Sequence, residues 1–407
     1  MQRKFAAVLS VAAAVAAVIL LLVFSRGDEP RPDGTAVRGE RESADDISEA
    51  QEAELRRLGT LGYLSGSVPV PEETGVLRHD PDAVHAGPTL YSCSEGSAAI
   101  LIDMDGDIIH SWHYPGFKSW GRAHLYENGD LLVITEDYPH LMKIDRNSEI
   151  IWEWNYAAHH DLDVLEDGTI AVIVSEEATR DYICDGETFL SDSVVLLDPD
   201  GTARVRVPLL ESFERSREHP NWLEDHIEPG NTDPFHANSI EVLYRNGHRF
   251  AFMSIRNMDT IAAMDLETSE IVWAITGPWH RQHEAELVPG GILLFDNLGL
   301  ADDQSRVIEY DTDRGEIVWS FTEPGFFTES EGAQQRLPNG NTLITESENG
   351  RLIEVTRGGR IVWEYVNPAS GVLDGEEVIL GISRAERLPP DFPTQWARGG
   401  RHEEATF

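Results

Sequence analysis

Short apolar runs and polar turns alternate along the chain from Gly87 onward, and one such pattern occurs six times. Each copy has an apolar residue, usually an Asp, a turn, and then an apolar alternation that ends near a Trp, which predicts a β-hairpin. The copies begin roughly 40 to 65 residues apart, a spacing typical of propeller blades. They are LIDMDGDIIHSWHY (101–114), KIDRNSEIIWEWNY (143–156), LLDPDGTARVRVPL (197–210), AMDLETSEIVWAIT (263–276), EYDTDRGEIVWSFT (309–322) and EVTRGGRIVWEYVN (353–366).

A second hairpin pattern interleaves with the first, and two hairpins together make a four-stranded blade. Its copies are GRAHLYENGDLLVI (121–134), AHHDLDVLEDGTIAVI (158–173), FHANSIEVLYRNGHRFAFM (235–253), QHEAELVPGGILLF (282–295) and GAQQRLPNGNTLI (332–344). SRAERLPPDF (383–392) resembles the leading strand of this hairpin without its partner, and the segment 89–114 lacks a leading strand. The repeats therefore predict an all-β, six-bladed β-propeller closed by a C-terminal strand that completes the first blade.

The N-terminus carries two basic residues and then about twenty apolar residues, Phe5 to Phe24. That run is long enough to span a bilayer, and the basic flank places the rest of the chain outside the cytoplasm, in the periplasm or at the cell surface. A cleaved signal peptide is the rival interpretation. Because VFSRG offers no small-x-small cleavage site, we predict an uncleaved transmembrane anchor over residues 1–24.

The remaining segments are predicted from composition. Residues 25–85 are rich in Gly, Pro, Asp and Glu and are predicted to form an acidic linker with one short helix, ADDISEAQEAELRRLGTLGYL (44–64). The propeller domain is expected over residues 86–392, followed by a tail over 393–407. Within the domain, the long acidic stretch 211–234 is predicted to be a loop at one mouth of the central channel.

The formal net charge of -40 argues against nucleic acid or anionic lipid as a partner. It also means that any anion-binding site must carry its own cations. The two cysteines, Cys93 and Cys184, are far apart in sequence, so a disulfide is permitted but not implied, and no metal site follows from them. The sequence is compatible with a homodimer.

The repeats also align the chain with itself at the strand that lines the channel of a propeller. Eight residues before the turn glycines Gly168 and Gly291 stand His160 and His283. In the copy between them, alignment on IEVL (240–243) brings Asn238 to the same height, and His236 precedes it by two residues on the same strand face. The alignment predicts a ring of polar groups at one end of the channel.

Three imidazoles suit zinc, but an arginine near them favours a different ligand. Arg256 stands in MSIRNMD (253–259), where SIRN interrupts an apolar alternation after the His236 hairpin. A guanidinium disfavours a dication and favours an anion. We therefore expect no metal and a site for a sulfate-like or phosphate-like group.

Five stretches resemble the arylsulfotransferase (aryl-sulfate sulfotransferase) family, and the resemblance covers roughly residues 86 to 392. They are DPFHANSIEVL, SIRNMDTIAAMDLETSEIVWAI, RQHEAELVPGGILLFDN, SRVIEYD and GAQQRLPNGNTLI. The resemblance implies transfer of a sulfuryl group from an aryl sulfate to a phenol through a transiently sulfated histidine. It implies no nucleotide sulfate donor and no other cofactor, and small-molecule aryl sulfate and phenol as the partners.

Carried over by motif, the resemblance implies that His283 is the nucleophile and that His236, Asn238 and Arg256 hold the sulfuryl oxygens. His160 is the remaining channel histidine, with His159 on the other face, and His280 lies in a loop. Either His160 or His236 would serve as general acid and base, a choice that the sequence leaves open. Two rival functions also stay open: a propeller that binds a ligand without turnover, and a sulfate-ester hydrolase.

Overall fold

The computed structural model describes residues 68–397 apart from 95–96, 118, 137–139, 217–221, 228–229, 302 and 374–375. The predicted anchor (1–24), the predicted short helix (44–64) and most of the predicted tail lie outside the described residues. Among the residues that are described, no helix has both the length and the apolar character needed to cross a membrane.

Six antiparallel sheets of at least four strands follow one another along the chain, so the fold is the predicted all-β, six-bladed β-propeller. Blade 1 contains β2 (Thr89–Cys93), β3 (Ala98–Ile102), β4 (Ile108–His113) and β27 (Ile382–Arg387). Blade 2 contains β5 (Trp120–Leu125), β6 (Leu131–Thr135), β7 (His140–Ile144) and β8 (Ile150–Trp154). Blade 3 contains β9 (Ala158–Val164), β10 (Ile170–Arg180), β11 (Ile183–Leu197) and β12 (Ala203–Pro208). Blade 4 contains β13 (Ala237–Arg245), β14 (His248–Ile255), β15 (Thr260–Asp265) and β16 (Glu270–Thr276). Blade 5 contains β17 (His283–Val288), β18 (Gly291–Ala301), β19 (Gln304–Asp311) and β20 (Glu316–Phe321). Blade 6 contains β21 (Ala333–Arg336), β22 (Thr342–Glu346), β23 (Arg351–Val355) and β24 (Ile361–Val366).

Blade 1 is completed by the C-terminal strand, as the sequence predicts. β27 pairs antiparallel with β2, with Thr89 opposite Arg387 and Cys93 opposite Ile382. The sheet order is β27-β2-β3-β4. Strands from the two ends of the domain therefore share one ladder of backbone hydrogen bonds.

Blade 6 has a fifth strand that the sequence did not predict. β1 (Gly75–His79) pairs antiparallel with β24, with Val76 opposite Tyr365, although it lies in the segment predicted to be a linker. A separate hairpin of β25 (Ser370–Leu373) and β26 (Glu376–Ile379) follows β24. The described part of the predicted linker is thus attached to the propeller.

The stretch predicted to be a loop over residues 211–234 is partly helical, so that prediction was wrong in part. Helix α1 (Leu209–Arg215) begins just before it and α2 (Trp222–His226) lies within it. Leu209, Leu210 and Phe213 have helical spacing and are buried, and the Phe213 ring stacks on Phe235 at a centroid distance of 6.3 Å. This burial stabilises a helix where the acidic composition predicts only a loop.

The described chain divides into two compact units. Unit 1 contains residues 162–300 and 306–322, and its apolar core includes Met253, Ile255 and Phe235. Unit 2 contains residues 68–161, 301–305 and 323–397, and its cores surround Trp112 and Trp363. Both cysteines of the chain are described and carry thiols rather than a disulfide.

Candidate active site

His283 begins β17 in unit 1 and is only 7% exposed. Its Nδ1 lies 2.8 Å from Asn297 Oδ1 on the neighbouring strand β18. An amide oxygen can only accept a hydrogen bond, so Nδ1 carries the proton and Nε2 carries the lone pair. Among the described residues Nε2 is buried and has no hydrogen-bond partner.

The surroundings of His283 keep its ring neutral. Burial, together with the positive charge of Arg256 and the neighbouring His236, lowers the pKa of His283 to about 3, against the opposing effect of the hydrogen bond to Asn297. At neutral pH the ring is therefore an uncharged imidazole. A buried neutral imidazole with an available lone pair has the properties of a nucleophile.

Gln282 fixes the entry of the chain into β17. Its side chain is fully buried, and its Nε2 donates to Ser254 Oγ at 3.1 Å and to the carbonyl oxygens of Thr260 at 3.2 Å and Ile255 at 3.3 Å. All three acceptors lie on or beside strands of blade 4. The amide side chain thus joins blade 5 to blade 4 directly next to His283.

His236 lies just before β13 in unit 1 and is oriented by a carboxylate. Its Nδ1 is 2.5 Å from Asp233 Oδ2, three residues earlier in the chain. The backbone of His236 is left-handed, with φ +53°, and its carbonyl oxygen accepts from Arg256 N at 3.2 Å. An aspartate at Nδ1 is an arrangement that lets an imidazole gain and lose a proton at Nε2.

Arg256 begins a short 3₁₀ turn, Arg256–Met258, between β14 and β15. Its Nη1 donates to Asn257 Oδ1 at 2.8 Å. Asn257 Nδ2 donates to the carbonyl oxygen of Asp233 at 2.6 Å. A second guanidinium, that of Arg281, also donates from Nη1 to Asn257 Oδ1. Asn257 therefore connects the segment that bears His236 with two arginines.

The structure brings together three of the predicted site residues, His236, Arg256 and His283, in unit 1. The effect of Arg256 and His236 on the pKa of His283 follows from their proximity to its ring. The arrangement offers a nucleophile, an acid–base pair and a fixed cation within one compact unit.

Asn238 lies at a bulge near the start of β13. The register of β13 shifts after the Ala237–Ile255 pair, and that of β17 shifts after the His283–Phe295 pair. Asn238 is the bulged residue of β13. Its Nδ2 donates to the carbonyl oxygen of Gln282 at 2.9 Å. The expectation that Asn238 lies at the same height as His283 stays a prediction.

His160 belongs to unit 2. Its backbone conformation and its contact with His159 differ from those expected in a regular strand, where neighbouring side chains point to opposite faces. The backbone of His160 is left-handed, with φ +58°. The rings of His159 and His160 meet edge to face with centroids 4.8 Å apart, so the prediction that they lie on opposite faces was wrong. The next residue, Asp161, is buried and pairs with Arg384 at 3.2 Å and Arg122 at 3.3 Å.

His280 lies in a bend before β17, as predicted. Its Nδ1 is 2.7 Å from Asp259 Oδ2, and its backbone N donates to Asp296 Oδ1 at 2.9 Å. Asp296 is fully buried, and burial raises the pKa of its carboxyl despite the pairing with Arg306 at 2.7 Å. His280 thus helps to anchor the bend that leads to His283.

One group in the described residues has the composition of a metal site, outside the predicted site. Single ligand atoms of His248, Asp265 and Glu267 lie within 4.8 Å of one another. His248 Nδ1 is 2.7 Å from Asp265 Oδ2, and Glu267 accepts from the side chain of Arg249 at 2.9 Å. These contacts give each of the three a protein partner at the β14 and β15 hairpin ends.

Four residues of the site were missed by sequence reasoning: Asp233, Asn257, Arg281 and Asn297. Each stands inside a motif that was singled out: Asp233 opens DPFH, Asn257 closes SIRN, Arg281 opens RQHEAELV, and Asn297 ends LLFDN. Their side chains orient the predicted residues. Neither the hydrophobic periodicity nor the residue spacing within the repeats identifies such partners, because the hydrogen bonds join different turns and strands.

Comparison with known proteins bears on this arrangement. Residues 104–368, more than half of the chain, match the arylsulfotransferase (ASST) family. The chain belongs to this family. The matched region contains all the site residues of unit 1 and also His160. The resemblance seen in the motifs is thereby confirmed over residues 104–368.

Several solved structures are remotely similar to this arylsulfotransferase-family chain. A protein of unknown function from Bacteroides caccae is 12% identical, with a TM-score of 0.48, covering 69% of this chain and 93% of its own. A streptogramin B lyase is 14% identical (TM-score 0.44; 79% and 95%), and virginiamycin B lyase from Staphylococcus aureus is 12% identical (TM-score 0.42; 78% and 100%). These similarities are too remote to indicate an activity. A search of curated protein sequences found no match to the chain.

Proposed function

We propose that the protein is a sulfotransferase that moves a sulfuryl group from an aryl sulfate to a phenol through a sulfated His283. The observation that carries the proposal is the buried, neutral His283, whose Nε2 is kept as the lone-pair nitrogen by Asn297. Membership of the arylsulfotransferase family supports the same reaction class.

In the first half-reaction, the lone pair of His283 Nε2 attacks the sulfur of the aryl sulfate. The bond between sulfur and the aryl oxygen breaks, and its electron pair leaves on that oxygen. The ring then bears a sulfonate on Nε2 and keeps the proton on Nδ1, so the sulfated imidazolium still donates to Asn297. The guanidinium of Arg256 stabilises the charge on the non-bridging oxygens of the transferring group.

His236 is the proposed general acid and base of unit 1. As an imidazolium with Nδ1–H held by Asp233, it donates the Nε2 proton to the departing phenolate. Neutral His236 then takes the proton of the acceptor phenol, whose oxygen attacks the sulfur. The bond between nitrogen and sulfur breaks and returns its electron pair to His283 Nε2. The role expected for His160, as a second channel histidine, remains a prediction.

Asn238 has a supporting role in this proposal. Its amide nitrogen already donates to the carbonyl oxygen of Gln282, the residue before His283. The second hydrogen of that amide remains for a sulfuryl oxygen, as the family resemblance implies. The extracytoplasmic location and the membrane anchor belong to the proposal as well and follow from the N-terminal sequence alone.

The test uses the purified full chain with nitrophenyl sulfate, with and without an added phenol. We expect turnover that depends on the phenol, and we expect His283→Asn to lower kcat by about 10⁴-fold to 10⁶-fold, as for other enzymic nucleophiles. Intact-mass measurement without acceptor should show one added SO₃ group on the wild type and none on the variant. His79→Asn, at an exposed histidine of β1, is the matched control.

Three outcomes decide between the functions. A rate that does not respond to the phenol, with inorganic sulfate as product, would favour the hydrolase. Binding of the aryl sulfate without release of nitrophenol would favour a propeller that only binds ligands. Full activity in His283→Asn would remove His283 from the mechanism.

A further inference from the structure

Two guanidinium groups of unit 1 converge on a single amide oxygen. Arg256 Nη1 and Arg281 Nη1 both donate to Asn257 Oδ1. Because both are within hydrogen-bond distance of one atom, these two nitrogens lie at most roughly 6 Å apart. Like charges are not brought so close unless the structure holds them there.

Asp259 and Asn257 hold Arg281 in this position. Arg281 N donates to Asp259 Oδ1 at 2.7 Å, while the other oxygen of that carboxylate binds the ring of His280. Arg281 and Asp259 both have left-handed backbones, with φ +56° and +48°. Strained backbone of this kind persists where the surrounding contacts determine it, and it is concentrated at functional sites.

The guanidinium of Arg281 donates to a neutral group, the side-chain amide of Asn257, and this distinguishes Arg281 from other arginines of the same unit. Six of them pair with carboxylates: Arg180, Arg204, Arg206, Arg249, Arg306 and Arg314. Among the described residues, no carboxylate lies within ion-pair distance of the Arg281 guanidinium. The chain has 72 acidic residues and 32 basic ones, so an arginine held against an amide oxygen is a departure from the general pattern. An amide satisfies the hydrogen bond and leaves the charge in place.

We propose that Arg281 and Arg256 together form a two-arginine site for a tetrahedral oxyanion. Arg281 is then a second substrate-binding cation, which takes one non-bridging oxygen of the sulfuryl group while Arg256 takes another. The site would bind sulfate esters and, as a simpler ligand of the same chemistry, inorganic sulfate. This inference deepens the proposed function and rests on it for the identity of the substrate.

Titration calorimetry with sodium sulfate tests the two-arginine site separately from turnover. We expect the wild-type full chain to bind sulfate, Arg281→Gln to weaken binding at least about tenfold, and Arg281→Lys to weaken it less, because it keeps the charge. The matched control is Arg314→Gln, at an exposed arginine in the β19–β20 turn. Its affinity for sulfate should equal that of the wild type.

Asn257→Asp provides a second, nearly isosteric test. The new carboxylate still accepts from both arginines but cancels part of their charge, so sulfate binding should weaken by a similar factor. The variant also loses the donation from Asn257 Nδ2 to the carbonyl oxygen of Asp233. If Arg281 only anchors the bend before His283, Arg281→Gln and Arg281→Lys would lower kcat equally while sulfate affinity stayed unchanged in all variants.

The outcomes separate the two proposals. Wild-type sulfate affinity in Arg281→Gln and Asn257→Asp would overturn the two-arginine site even in an active sulfotransferase. Loss of sulfate binding in these variants, in a protein that never turns over an aryl sulfate, would keep the site and overturn the proposed function. No measurable sulfate binding by the wild type would also overturn the site.

Discussion

The chemistry assigned to His283 depends on a single neighbouring amide. Asn297 accepts from Nδ1 at 2.8 Å, which leaves Nε2 as the only nitrogen able to attack an electrophile. A carboxylate in the place of Asn297 would instead stabilise the imidazolium and remove the lone pair near neutral pH. The neutral amide therefore orients the ring without making it more basic.

The lowered pKa of His283 predicts how sulfation depends on pH. Its value of about 3, caused mainly by burial, keeps the ring neutral throughout the range from pH 8 to pH 5. With nitrophenyl sulfate, whose leaving group needs no proton, the single-turnover burst of nitrophenol should therefore be nearly constant over that range. Stopped-flow absorbance without acceptor measures it. A fall with a midpoint near 6.5 would show that the ring titrates as it does in water.

The same shift makes the folded state sensitive to acid. The unfolded chain binds the proton near the ordinary histidine value of about 6.5, whereas folded His283 resists it. Stability from this residue is therefore fully present above about pH 6.5 and is lost as the pH falls toward 3. His283→Asn should accordingly show a shallower loss of stability in acid than the wild type, which serves as a control on the kinetic result.

At the scale of single residues, the sequence predicts the reactive groups better than their partners. His236, Arg256 and His283 stand in motifs whose composition is unusual for a strand, and so they are visible. Asp233, Asn257 and Asn297 have no such signal, because a polar residue in a turn is ordinary. Their roles follow only from distances such as the 2.5 Å contact between Asp233 and His236.

At the scale of elements, each hairpin and its place in a blade could be predicted, but the register of individual strands could not. Repeats along the chain give the strand order and even the closing strand β27. A bulge shifts every later pair by one residue, as at Asn238, and nothing in the local composition marks it. The strand β1 was missed for a related reason, since GVLRH is too short and too polar to be distinguished from a linker.

The closing strand carries a buried ion pair whose strength can be measured. Arg387 of β27 lies 3.3 Å from Glu354 of β23, and both side chains are completely buried. Arg387 also donates to Thr89 Oγ1 at 2.8 Å and stacks over Trp363 at 4.7 Å. Burial lowers the pKa of Arg387 to about 10, which still leaves it charged at neutral pH.

Arg387→Met should lower the free energy of unfolding by about 3–5 kcal/mol, because it leaves the buried Glu354 charge uncompensated. The double variant Arg387→Met/Glu354→Gln should recover much of the loss, since neither buried charge then remains. Urea unfolding followed by tryptophan fluorescence measures both. Arg360→Met, at an exposed pair with Asp80, is the control and should change little. A double variant no more stable than the single one would mean that packing, not charge, explains the effect.

At the scale of the whole molecule, the charge of -40 opposes the ligand that the site is proposed to bind. Aryl sulfates and inorganic sulfate are anions, so the long-range field repels them while Arg256 and Arg281 attract them at short range. Repulsion from distant charges is screened by salt much more than attraction at a half-buried contact. The two effects are therefore separable by ionic strength.

We expect kcat/KM for the aryl sulfate to rise when sodium chloride increases from about 10 mM to about 100 mM, where the Debye length falls from about 30 Å to about 10 Å. The rise should be on the order of tenfold, the scale of electrostatic effects on association. Above about 0.5 M, chloride competes for the two arginines and the value should fall. The neutral phenol acceptor provides the internal control, because its kcat/KM should stay level over the first range. A steady decline for the aryl sulfate from the lowest salt would mean that the local arginines dominate the field that an approaching anion meets, despite the 72 acidic residues.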